Sequence, residues 1–203
     1  MPPRWLDRLE KRLGFLAVPG LAALLAGMNA CVGLLTLFKP EFPDRLLLDP
    51  AAILSGEVWR AVTFLCIPTQ TSPLWLAVWV ILIYSIMRAL EKAWGEFQFT
   101  LYLLAGALAT AAAALASGLC LGSGPLQLSL FLAFARLNGE MQLLIFFVLP
   151  VKVRWLALLA WLWAAWAILF AGGAARIAVA AGLANYALFF GPEHWNSWRS
   201  WRR

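Results

Sequence analysis

The chain has 203 residues, of which 63% are hydrophobic and 13% charged, with a mean hydropathy of +0.80 and a formal net charge of +6. Soluble globular proteins run roughly half apolar and roughly a quarter charged. This composition excludes a soluble enzyme or binding module and leaves an all-α polytopic membrane protein of one compact domain.

The chain opens with Arg4, Arg8, Lys11 and Arg12 around Trp5, Leu9 and Leu13, which recur at i+4. That pattern predicts an amphipathic helix over residues 4 to 16 lying in the membrane interface. The apolar run behind it is too long for a cleavable signal, and no A-x-A sequence closes it. A spanning helix needs about 20 apolar residues. Val18 to Phe38 supplies the first. A polar, Pro-rich stretch of 35 residues follows, Lys39 to Pro73. The second run is Leu74 to Leu90, and the third is Gln98 to Leu119. Pro125 to Leu137 is a short fourth run of 13 residues. "MQLLIFFVLPVKVR" then returns to the interface, and Trp155 to Ala171 and Ala174 to Phe190 complete six helices. The organisation is an N-terminal segment, 1–17, a membrane domain, 18–192, and a basic tail, 193–203.

Lys and Arg placement sets the orientation. With the N-terminus inside, twelve basic residues are cytoplasmic, and only Lys39, Arg45, Arg60 and Arg176 lie outside. Both termini are then cytoplasmic, and the long first loop faces out. In a bacterium the membrane would be the cytoplasmic one. The twelve Trp residues suit a protein with many membrane-interface positions. Cys31, Cys66 and Cys120 match neither a zinc site nor a redox pair and read as small apolar fillers. No metal or cofactor is expected.

Two motifs stand out. "RALEKAWGEFQF" ends the second helix with Glu91, Trp94 and Gly95, ahead of Phe97, Phe99 and Tyr102. Gly permits the tight reversal, and Glu91 can accept from exposed amides or an Arg near the helix ends. The first loop carries Trp59-Arg60 in "GEVWRAVTFLCIP". Asp49-Pro50 supplies an N-cap and a first-turn Pro, and Arg60 has five donors for loop carbonyls. These residues resemble the rhomboid superfamily. Its second helix ends in Glu-x-x-(Trp/Leu)-Gly, and its first loop has a Trp-Arg pair lying sideways in the outer leaflet. The resemblance covers about residues 18 to 192 and implies a rhomboid-like six-helix bundle with a long outer first loop and a short fourth helix. The stretch from Leu128 to Leu159 is similar to the non-proteolytic Derlin branch.

The resemblance also says where catalysis would sit. Active rhomboids carry Gly-x-Ser-Gly at the start of helix four, a His on helix six and a His-x-x-x-Asn pair on helix two. The one histidine, His194, lies fifteen residues past Val179, the position matching the family's base. That is about 22 Å of helix rise, where a general base must come within about 3 Å. "LGSGP" offers Ser123, but Leu121 replaces the first Gly, and sliding the match by one puts Gly124 at the nucleophile position. Sixteen and twelve residues before Glu91 stand Trp75 and Trp79 in place of the oxyanion pair. Two indoles there would fill the region and pack near Gly122 to Pro125. On helix six Gly182 remains, but Tyr186 occupies the second Gly position of the seam, implying a wider seam or another partner. Asn185 beside it is a polar residue within a span.

The implied function is a pseudoprotease that binds or handles membrane-protein clients without cleaving them. Its partners would be such clients and lipid, with no nucleic acid, and a homo-oligomer or adaptor complex fits the role. One alternative is an active intramembrane protease with an unusual site, although a Ser-Lys dyad finds no intramembrane Lys. A small transporter is the other, but the spans hold few ionisable groups. Helix length suggests one further property. Runs of 17 residues in helices two, five and six give about 25 Å, and helix four about 20 Å, against a core of about 30 Å. Local bilayer thinning beside helices two and five is the expectation.

Overall fold

The computed structural model describes residues 10–11, 14–70, 72–145 and 149–201, with side chains left aside at 143–145, 149 and 192–201. Six long helices carry the fold: α1 (Leu21–Phe38), α2 (Pro73–Trp94), α3 (Glu96–Ser117), α4 (Gly124–Leu137), α5 (Val153–Phe170) and α6 (Gly173–Trp201). Five of them have stretches long and apolar enough to cross a membrane, and α4 is a shorter apolar helix. The chain is an all-α polytopic membrane protein. Trp5, Leu9 and Leu13 of the expected interfacial helix lie outside the described residues, while Gly14–Leu16 forms a single 3-10 turn.

α1 starts after Gly20, whose φ of 68° is left-handed. Its buried stripe repeats at three and four residues: Ala22, Leu25, Ala26, Asn29, Val32, Gly33 and Thr36. Leu24, Met28, Leu34 and Leu35 face outward, as the lipid side of a spanning helix requires. The first loop folds into short helical turns at Phe42–Arg45, Pro50–Leu54, Arg60–Thr63 and Phe64–Cys66. The expected cap is present: Asp49 Oδ1 accepts from the N–H groups of Ala51 at 2.9 Å and Ala52 at 3.5 Å. Arg60 donates to the carbonyls of Asp44 at 2.8 Å and Leu47 at 3.2 Å, and to Glu57 Oε2. Trp59 beside it is exposed. Leu48 and Leu121 exchange two backbone hydrogen bonds of 3.1 Å. Phe64, Ile67 and Leu121 then close a core against Ala107 and Ala114 of α3. The loop is therefore built into the end of the bundle where α3 gives way to α4.

Gly95 turns α2 into α3 with φ 85° and ψ 163°, a conformation that side chains resist. α4 is the hub. It packs on α2, α3, α5 and α6, and most of its residues are buried. α2 has 22 residues, or about 33 Å, of which the apolar run Leu74 to Leu90 supplies 17. α5 reaches 18 residues, about 27 Å, and the crossing part of α6 has 19. α4, the shortest of the six, is enclosed by protein and need not match lipid.

Two elements depart from the sequence reading. Gln142–Ile145 and Leu149–Lys152 pair as an antiparallel hairpin, in a register from Gln142 opposite Lys152 to Ile145 opposite Leu149. α6 does not end near Phe190 but continues to Trp201, so the expected tail begins as helix and His194 lies within it.

At the hairpin mouth Glu140 accepts from Lys152 at 2.7 Å and from Arg154 at 2.8 Å. The Lys152 hydrogen bond, with the Arg154 charge, holds its carboxyl below the usual carboxylate range. A depressed native pKa stabilises above the unfolded value and is lost as pH falls through the native one. The link should therefore be intact from neutral pH down to about 4.3, the free Glu value, and fail only below it. Carboxyl NMR checks this. The Glu140 midpoint should lie below that of free Glu and rise in Lys152→Gln; an unshifted midpoint in the native chain would contradict it.

Candidate functional site

Ser123 is the N-cap position of α4, set by the turn that Pro125 begins. It is 3% exposed. Its hydroxyl donates to the Ile67 carbonyl at 2.7 Å and accepts from Gln127 Nε2 at 2.9 Å, one turn along α4. Across from it, Asn29 of α1 donates through Nδ2 to the carbonyls of Leu25 at 2.9 Å and Leu65 at 3.1 Å. Asn29, Ser123 and Gln127 share a small enclosed cavity of about 20 Å³, whose other walls are Leu, Ile and Met side chains. None of the described residues that line it can take the Ser123 proton. A serine hydroxyl stays a weak nucleophile without such a base.

Val179 lies elsewhere. It is buried among Ala164 and Ala167 and lines an apolar pocket of about 210 Å³ with Gly124 and Pro125. The structure thus brings Val179 together with Gly124, not with Ser123, whose hydroxyl is bonded on the α1 side of α4. Neither Val nor Gly carries proton chemistry. From Val179 to His194 the helix is unbroken, so the fifteen-residue separation remains about 22 Å of rise.

Of the two tryptophans, Trp75 does not behave as expected. Trp75 is 46% exposed, on the outward side of α2. Trp79 is half-buried against the main core, with an indole N–H that has no acceptor among the described residues. The α2 wall of the cavity comes instead from Ile83 and Met87. These lie one and two turns further along the helix, so branched and flexible aliphatic side chains do the filling.

At the seam between α4 and α6, Tyr186 follows the second of the two expectations, another partner. The seam is not widened. A Cβ on Gly182 would collide with the Pro125 carbonyl oxygen. Tyr186 turns toward α5, edge-on to Trp161 at 5.6 Å and stacked on Phe190 at 4.9 Å. Asn185 donates to Ser129 Oγ at 3.1 Å, and Tyr102 donates to the Ser129 carbonyl at 2.9 Å. These bonds tie α3 and α6 to α4.

At the other end of α2 the Glu-x-x-Trp-Gly motif forms a clasp. Glu91 is 3% exposed and accepts from Arg88 at 2.6 Å and from the Ala22 N–H at 3.4 Å. Ala22 lies in the first turn of α1, where the amides lack partners and a negative charge is favoured. Trp94 rests on Tyr102 at 5.1 Å and Phe190 at 5.8 Å. Asn29 and Gln127 were not singled out from sequence. The available signals were the place of Asn29 on the inward stripe of α1 and the i+4 spacing of Gln127 from Ser123.

Among the described residues no group of His, Cys, Asp and Glu could hold a metal ion. Fold and interior together define an integral multi-pass membrane protein with a closed polar node inside its helices. The family model described as Eukaryotic integral membrane protein (DUF1751) matches residues 20–191, and the chain belongs to that family. No curated protein and no solved structure matches it.

Proposed function

We propose that the protein is a rhomboid-like pseudoprotease that binds membrane-protein clients and does not cleave them. The carrying observation is the bonding of Ser123. Its proton is committed to the Ile67 carbonyl, and no described residue lining its cavity is a base. The exchange of the expected base for Val179, beside Gly124, supports the same reading. So do the Trp59-Arg60 and Glu91-Trp94-Gly95 motifs, at the loop and helix end where the resemblance expects them. In this proposal both termini are cytoplasmic, following the distribution of basic residues. The family is described as eukaryotic, and a bacterial cytoplasmic membrane drops out of the proposal.

The test is photo-crosslinking in the native membrane with wild-type chain and Ser123→Ala. Both should capture the same integral membrane proteins at full length. Shortened client fragments that vanish in Ser123→Ala would overturn the reading.

A further inference from the structure

The cavity between α1, the outer loop and α4 has an unmet requirement. Asn29 is 3% exposed, and its Oδ1 has no partner. Turning the amide over does not cure this. Both Nδ2 protons are used, on the carbonyls of Leu25 and Leu65, and a flip would set oxygen against two oxygens. The orphan is therefore an acceptor, and it lines the cavity that Ser123 and Gln127 also line. The neighbours supply matching groups. Gln127 Nε2 gives one proton to Ser123 Oγ and has a second. The Ser123 oxygen, with its proton on Ile67, accepts from Gln127 and keeps one lone pair.

A cavity needs about 10–15 Å³ to hold a water molecule, which then wants two to four polar partners. This one measures about 20 Å³. It is too small for a metabolite or an acyl chain, and its polar groups are those of a hydrated site, not of a dry apolar void. We infer that the cavity is a binding site for one ordered water molecule, which completes a polar node pinning the outer loop to the bundle. The water donates to Asn29 Oδ1 and to Ser123 Oγ and accepts from Gln127 Nε2. The node then holds the Leu65 and Ile67 carbonyls from α1 and α4 together. These carbonyls flank Cys66, which is 4% exposed. The inference goes beyond the client-binding proposal and stands whether or not clients exist.

The test is a map of the whole protein in a lipid nanodisc, at a resolution that shows ordered water. One peak should lie about 2.7–3.2 Å from both Asn29 Oδ1 and Gln127 Nε2. A map with the three side chains ordered, waters visible elsewhere and no peak here would overturn the site. In Asn29→Leu the peak should vanish; a peak that persists would show that Asn29 does not hold it. Should that variant fail to fold, Gln127→Leu asks the same question. Pinning is read at Cys66 in a Cys31→Ala, Cys120→Ala background. Labelling by a water-soluble maleimide should rise about tenfold or more in Asn29→Leu, as the loop opens locally. Unchanged labelling would refute the pinning.

Discussion

Gly182→Leu should abolish assembly of the bundle, and Gly182→Ala should cost about 1–3 kcal/mol, the usual range for overpacking. The reason is what the new Cβ meets. It would strike the Pro125 carbonyl oxygen and lie 3.3 Å from the Pro125 Cα, both backbone atoms. Pro125 opens α4, the most enclosed helix, so it cannot retreat without moving the hub. Gly106 is also crowded, but by the Leu126 and Asn185 side chains, which have rotamers to use. Gly27 has nothing within 4 Å. Gly27→Ala should therefore gain up to about 1 kcal/mol from helix propensity alone. Thermal unfolding in mild detergent compares the three. Equal melting of Gly182→Ala and Gly27→Ala would show that the α4–α6 seam is not tight.

Glu91→Leu should lower stability by about 2–3 kcal/mol. The carboxylate serves two helices. It bonds Arg88 one turn back, and it receives the Ala22 amide at the start of α1. Hydrogen bonds to charged groups contribute about 1.5–3 kcal/mol, and a charge at a helix N-terminus about 0.3–1 kcal/mol. Arg88→Gln should cost less, because the Arg88 side chain is 44% exposed and can find water. Glu91→Gln should fall between, keeping an acceptor for Ala22 but not the charge. Reversible unfolding in bicelles ranks the three. A Glu91→Leu protein as stable as Arg88→Gln would remove the clasp from this account.

The spans were legible because apolar runs bounded by charge are what a bilayer selects. Errors came where a local signal was overridden. The last apolar run stops at Phe190, and the basic stretch 193–203 read as a tail, yet α6 continues to Trp201. "MQLLIFF" and "LPVKVR" read as plain interface, because pairing between two short segments leaves no mark in either alone. The loop chemistry of Asp49, Arg60 and Gly95 was readable, since each does locally what its type does well. The site was half legible. The missing base needed one histidine and a count of residues. The node around Ser123 needed Asn29, 94 positions away, and no spacing rule connects them. Trp75 misled because matching a family position fixes the residue number, not the face of the helix.

Fluorophosphonate labelling of the purified protein in lipid tests the central claim most directly. Ser123 donates its proton to a backbone carbonyl, and no base lines its cavity among the described residues. Wild-type chain and Ser123→Ala should both stay unlabelled, at probe concentrations that fully label an active intramembrane serine protease run alongside. Removing the hydroxyl should be visible only as stability. The Ile67 carbonyl and Gln127 amide would lose a partner, at about 1–3 kcal/mol. Labelling of the wild-type chain that disappears in Ser123→Ala would contradict the account.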